Sequence, residues 1–227
     1  MQVNYDSLKP VDIIYPFAYF GVSLLWMWYF HRLAKYKASG IISGIFLGGL
    51  LVGPVAGAVC HSLINIFIPA SDSGEIKDFF VQFFIVGPIE EISKFMIVFL
   101  IAFRRSELKT YRDGMIMALT AALGFAAGEN VLYLLAFGVH NTLPRLILGN
   151  IGHAAYSLFW GYAFGSVLAE FAPIRLIAIG LFIASFAHGL YNYMLNFGLA
   201  GFILSIILSS GLFLLLIFVL KHDTGKT

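Results

Sequence analysis

Glu90 and Glu91 stand side by side, with Lys94 one turn on, inside FFVQFFIVGPIEEISKFMIVFLIAF from Phe79 to Phe103. They are the only charges in that stretch. At mid-bilayer an ionised side chain costs roughly 2.5–3.5 kcal/mol, so three cost on the order of 9, barely offset by the apolar residues around them. Charges kept at that cost must face a bundle interior, a partner or water, and they mark a function. A carboxylate there suits acid–base work, since it can take a proton from water.

More polar residues join them at similar depth. Glu129 and Asn130 lie in TAALGFAAGENVLYLL, His153 in ILGNIGHAAYSLFWGYAF, and His188 with Asn192 in FIASFAHGLYNYML. Counted at helical rise from the nearest expected membrane boundary, Glu90, Glu129, His153 and His188 fall roughly 10–18 Å below one face. Helical spacing puts Glu90 and Lys94 on one face, where they can pair, while Glu91 points about 100° away. Phe125 and Glu129, and His188 and Asn192, are also i, i+4 pairs. Gly87-Pro88 directly precedes the glutamates and predicts a kink or break, which could aim free N–H groups into a water-filled cavity.

This set suits hydrolysis of an amide bond, with a carboxylate activating water and imidazole or amide N–H groups stabilising the oxyanion. Glu129, His153 and His188 could also hold a divalent metal such as Zn²⁺, leaving a fourth position for water. Glu90 would then be the base of a metal centre without the linear HExxH motif, which the chain lacks. No Ser-His-Asp or Cys-His pairing is evident, because Cys60 and His61 are neighbours on a helix and do not face each other. The bland alternatives are an ion-pair network for Glu90, Glu91 and Lys94, and interhelical hydrogen bonds for Glu129, His153 and His188. His61, with Ser62 and Asn65 beside it, reads as an ordinary partnered histidine. Asn130, Asn150 and Gln82 read as packing or supporting groups. The small-residue runs GIFLGG, GPVAGA and ALGFAAG read as close helix-packing faces.

The elements that must carry these residues are membrane helices. Hydrophobic residues make up 60% of the 227 and charged residues 11%, with mean hydropathy +0.89. A soluble domain has about 25% charged residues. The net charge of +2 gives no footing for nucleic acid. A single cysteine leaves no internal disulfide framework. The N-terminal MQVNYDSLKPVD lacks the features of a removable signal peptide, so the first apolar segment is expected to stay as a helix.

Seven segments are long enough to span, at approximately 12–30, 41–68, 78–103, 114–137, 146–169, 174–197 and 200–220. None alternates with period two, so the expected fold is all-α and polytopic, one domain over 1–227 with its catalytic core at approximately 78–197. Arg32, Lys35, Lys37, Arg104, Arg105, Lys109, Arg112, Arg175, Lys221 and Lys226 follow the odd spans. The alternate loops hold only Lys9, Lys77 and Arg145. Ten basic residues against three put the N-terminus outside and the C-terminus in the cytoplasm.

At this point the chain resembles a known family. E90-E-I-S-K94, F125-A-A-G-E129-N130, the separate His153 and H188-G-L-Y-N192 look like the four ordered motifs of the PrsW family. That family sits in the wider group of intramembrane proteases that includes the type II CAAX-prenyl endopeptidases. The resemblance covers the third to sixth spans and implies a membrane-embedded peptidase of a prokaryotic cell membrane, described as a metalloprotease. It implies Glu90 as the group that activates water, with Glu91 assisting. Glu129, His153 and His188 become the other catalytic or metal-binding groups, and Asn192 stabilises the oxyanion or orients His188. CAAX endopeptidases carry Arg and His where this chain has Lys94 and Glu129, which favours the PrsW branch. The implied substrate is a membrane-anchored protein such as an anti-sigma factor, cut on its extracytoplasmic side by glutamate-activated water with or without a metal.

Two readings from other classes compete. A non-catalytic scaffold resembling the Aph subunit of γ-secretase would keep histidines for assembly, but has no evident need for adjacent buried acids. An ion-coupled transporter also buries carboxylates, yet no inverted repeat or matched pair of broken helices is visible. Gly87-Pro88 and the outer loop 69–78 are the expected gate.

Overall fold

The computed structural model describes residues 14–34, 39–69, 74–103 and 110–222. Among these the regular structure is helical throughout: α1 (Ile14–Ala34), α2 (Ser39–Phe67), α3 (Glu75–Phe80), α4 (Gly87–Ala102), α5 (Tyr111–Phe137), α6 (Val139–Leu168), α7 (Arg175–Met194) and α8 (Gly198–His222). Three helical stretches, Gly40–Phe67, Tyr111–Ala136 and Arg175–Lys221, are long and apolar enough to cross a membrane. The last takes in α7, a 3₁₀ turn at Leu195–Phe197, and α8. Asp6, Lys9, Asp12, Lys35, Lys37, Asp72, Arg104, Arg105, Lys109 and Lys226, which carry much of the charge asymmetry, lie outside the described residues. So do residues 70–73 of the loop 69–78 expected to gate the site.

The centre of the bundle is α5, 89% buried across its apolar window against 33% for α2 and 28% for the α7–α8 stretch. A capping box starts it: Asp113 N–H donates to Thr110 Oγ1, and the Asp113 carboxylate accepts from the Thr110 N–H. Glycines then let backbones meet. A Cβ on Gly53 would lie 2.7 Å from the Phe125 carbonyl oxygen, and Gly124 and Gly128 press against the carbonyls of Phe46 and Leu50. The small-residue runs of α2 and α5 are therefore the faces on which these helices pack. Gly114 meets Gly161 and Gly165 in the same way, joining α5 to α6. The turn from α5 into α6 is a single residue, Gly138 at φ 76°, a left-handed conformation that glycine adopts without Cβ strain.

Gly87-Pro88 does not break its helix. From α3 the chain continues through a π-helical stretch, Val81–Val86, straight into α4, with right-handed helical angles at Phe80, Val86 and Gly87. Proline lacks an N–H and its ring crowds the carbonyl four residues back. Winding the preceding turn to the wider π repeat absorbs both problems without exposing helix ends. The expected break is thus replaced by a bulge that packs on α7, where Gly87 presses on the Ser185 carbonyl and Gly189 on Gln82.

Candidate active site

Helix α4 presents Glu90, Glu91 and Lys94, all buried, toward α6 and α7. Glu91 is bonded on both oxygens. Its Oε1 accepts from Lys94 Nζ at 2.6 Å and His188 Nδ1 at 3.0 Å. Its Oε2 accepts from Ser157 Oγ at 2.9 Å and Trp160 Nε1 at 3.0 Å. Lys94 therefore pairs with Glu91 at i, i+3 and not with Glu90 at i, i+4, as helical spacing alone allowed. The reason is tertiary: α6 and α7 bring three further donors to Glu91, and the cation joins that cluster.

A second chain of contacts leads away from Lys94. Its Nζ lies 2.8 Å from His153 Nδ1 and 4.7 Å from the centre of the Phe125 ring. His153 Nε2 is 2.8 Å from Glu129 Oε2, and Glu129 Oε1 pairs with Arg145 Nη2 at 3.0 Å. The Arg145 guanidinium sits 3.8 Å over the Tyr133 ring. These partners assign the tautomers. Lysine can only donate, so His153 Nδ1 accepts and its Nε2–H donates to Glu129. Glu91 accepts from His188 Nδ1–H, so in the neutral ring the lone pair is on Nε2.

Glu90 differs. Its Oε2 is buried and has no hydrogen-bond partner among the described residues, although His188 Nε2 approaches to 3.5 Å. Both groups line a cavity of about 670 Å³ enclosed by α2, the π stretch, α4, α5, α6 and α7. Glu129, His153, Arg145, Tyr133, Asn192, Gln82, Cys60 and His61 share its wall. Tyr156 stacks on His188 with ring centres 5.3 Å apart, its hydroxyl tied to Ser209 at 2.7 Å.

The cluster best placed for a metal is Glu90, His153 and His188, whose candidate ligand atoms all lie within 4.8 Å of one another. It differs from the expected Glu129, His153 and His188 in one member; the Glu129 oxygens meet Arg145 and His153. An orphaned carboxylate oxygen and a free imidazole lone pair fit a divalent cation. His153 would exchange one of its two present contacts for the metal.

Other expected groups divide. Phe125 packs under Lys94 and His153. Asn130 faces the start of α6, 3.4 Å from the Arg145 carbonyl. Asn150 braces α6 through Ser23 and the Leu146 carbonyl. His61 bonds to Asn65 at 3.0 Å on an exposed face. Asn192 lines the cavity, while the contact that orients His188 comes from Glu91.

Arg145, Ser157 and Trp160 are the residues that sequence reasoning missed. Ser157 and Trp160 follow His153 at i+4 and i+7, so helical periodicity alone could have put them on its face. Arg145 was assigned to a loop because α6 was expected to begin at 146; it begins at Val139.

The profile of the PrsW family intramembrane metalloprotease matches residues 37–220, which includes every group in this network. The chain belongs to the PrsW family. It is similar to Protease PrsW of Geobacillus kaustophilus, 31% identical over 181 residues, covering 77% of this chain and 76% of that protein. Protease PrsW of Bacillus subtilis is 28% identical over 181 residues, covering 78% and 79%. A match to Protease PrsW of Shouchella clausii, 31% identical over 115 residues, spans about half of each, 50% and 54%. No solved structure matches the chain. As a PrsW-family protein it is an integral membrane protein and an intramembrane protease.

Proposed function

We propose that Glu90 is the residue that activates water in this protease, and that Glu91 and Lys94 hold the site together without touching the reacting atoms. One observation carries the reading: the buried Oε2 of Glu90 has no hydrogen-bond partner, it lies 3.5 Å from His188 Nε2, and both residues line the cavity. An unsatisfied acceptor of that kind is costly unless something polar visits it. In hydrolysis Glu90 takes a proton from water as its oxygen attacks the peptide carbonyl. The carboxylic acid so formed then returns the proton to the departing amine. Asn192, on the same wall, is our proposed donor to the oxyanion.

The family is described as metalloproteases, and Glu90, His153 and His188 would hold the ion, with Zn²⁺ the proposed metal. When bound, it would supply Lewis-acid polarisation of water or carbonyl. Glu129, first expected as a ligand, is in this reading the group that orients His153. Metal analysis of purified wild-type protein beside Glu90→Gln tests that assignment: metal retained at wild-type stoichiometry in the variant removes Glu90 from the ligand set.

The proposed substrate is a membrane-anchored protein, with an anti-sigma factor the class that the family resemblance implies. A single domain of seven spans, N-terminus outside and core at 78–197, would put the site in the outer half of the membrane and the cut near the extracytoplasmic side. Comparing membrane proteomes of cells carrying wild-type and Glu90→Gln protein tests both claims. A full-length protein should accumulate in the variant and its outer fragment disappear. Equal cleavage removes Glu90 from the mechanism, and a cytoplasmic cut site overturns the orientation.

A further inference from the structure

Glu129 and Tyr133 are i, i+4 on α5, and together they grip one guanidinium from α6. Arg145 Nη2 lies 3.0 Å from Glu129 Oε1 and its Cζ 3.8 Å from the Tyr133 ring centre. A planar fork held edge-on by a carboxylate and face-on by an aromatic ring has little freedom left. The other oxygen of Glu129 meets His153 Nε2 at 2.8 Å. One carboxylate therefore links Arg145 to an imidazole whose opposite nitrogen faces Lys94 at 2.8 Å.

We infer that Arg145 is a positioning residue of the protease site: it fixes the Glu129 carboxylate, which in turn fixes the ring and the N–H of His153. The acids and cations sort accordingly. Lys94 serves Glu91, Arg145 serves Glu129, and Glu90 keeps an oxygen with no partner. Without Arg145, Glu129 has a free oxygen and can turn away from His153. The imidazole is then held from the Lys94 side alone. The Arg145 side chain is also 24% exposed and lines the cavity, so direct contact with substrate is the competing role to be separated.

The inference rests on the proposed function, and two readouts keep their failures apart. The first needs no turnover. In protein labelled with ¹⁵N-histidine, the His153 ring, assigned by its loss in His153→Gln, should show a protonated Nε2 and a bare Nδ1. Arg145→Gln should abolish or shift that Nε2–H signal; an unchanged His153 signature overturns the inference. The second is kinetic, with fluorophore-labelled casein in detergent as the probe. Arg145→Gln should lower kcat about 10–100-fold, as loss of an outer orienting partner does, with KM within about threefold. Arg145→Lys should recover a large part of the loss. Adding Arg145→Gln to Glu129→Gln should cost nothing further, because the effect passes through that carboxylate. A rise in KM alone, or losses that multiply in the double variant, would overturn it in favour of substrate contact. If Arg145→Gln does not fold, Arg145→Met, which keeps an apolar stem against Tyr133 but offers no donor, takes its place in the same cycle and the same ¹⁵N spectra. Glu90→Gln run alongside reports on the proposed base by itself: if it still cuts, that reading falls while the His153 spectra still judge Arg145.

Discussion

Two adjacent residues on one helix have opposite surroundings. Glu91 is fully buried and meets Lys94, His188, Ser157 and Trp160 within hydrogen-bond distance. Glu90 is nearly as buried, yet one oxygen has no hydrogen-bond partner, and the residue lines the cavity. Burial does not separate them; satisfaction does. A carboxylate saturated by four donors has no lone pair directed at a substrate, and neutralising it leaves those donors stranded. A carboxylate with a free oxygen beside a cavity can accept a proton. Neighbouring acids thus divide into one that holds α4, α6 and α7 together and one left free for chemistry.

The largest expected effect breaks the comparison by charge removal at each position. Glu90→Gln should abolish proteolysis, a loss on the order of 10²–10⁴-fold or greater. Measured on metal-free protein in detergent, its thermal unfolding midpoint should stay level or rise, because a buried carboxylate oxygen without a hydrogen-bond partner is removed. Glu91→Gln should do the reverse to the fold: about 3–5 kcal/mol of destabilisation, since Lys94 loses its carboxylate and an amide cannot accept from every side. Activity would fall there too, because Glu91 also orients His188. Equal unfolding midpoints for the two variants would show that the acids share one role.

Trp160→Phe probes the closed side more gently. It removes one of two donors to Glu91 Oε2 and keeps the ring that Phe95 meets edge-on at 5.6 Å. Denaturation should show about 1.5–3 kcal/mol lost, the usual worth of a hydrogen bond to a charged group. A loss below about 0.5 kcal/mol would mean that Ser157 satisfies that oxygen alone.

Much of this site was legible because intramembrane charge is rare and helical rise is fixed. Depth counting placed Glu90, Glu129, His153 and His188 in one layer, and hydrogen bonds join the helices that carry them. Small-residue runs marked the α2–α5 contact because close backbone approach needs missing side chains. What failed was the choice of partner. Lys94 has Glu90 and Glu91 equally in reach along its helix, and only the arrival of α6 and α7 decides for Glu91. The π stretch was hidden for a related reason: a proline signals that the regular ladder is disturbed, not whether the chain kinks or widens. Arg145 looked like a loop charge because apolarity, rather than helix length, set the expected start of α6.

The smallest expected effect tests how far the reactive side extends. His61 lines the same cavity as Glu90, but it sits on an exposed part of α2 and bonds to Asn65 one turn on. Among the described residues its hydrogen bond is to Asn65 and not to the network around His188 and His153. His61→Ala should leave kcat within about twofold and stability within about 0.5 kcal/mol, as for a surface change away from buried polar groups. A rise in KM with kcat preserved would make the C-terminal half of α2 part of the substrate path, since His61 lines the cavity without reaching the carboxylates. A fall in kcat comparable to that of Glu90→Gln would be more damaging. It would place proton transfer at an exposed imidazole, and the free oxygen of Glu90 would then need another explanation.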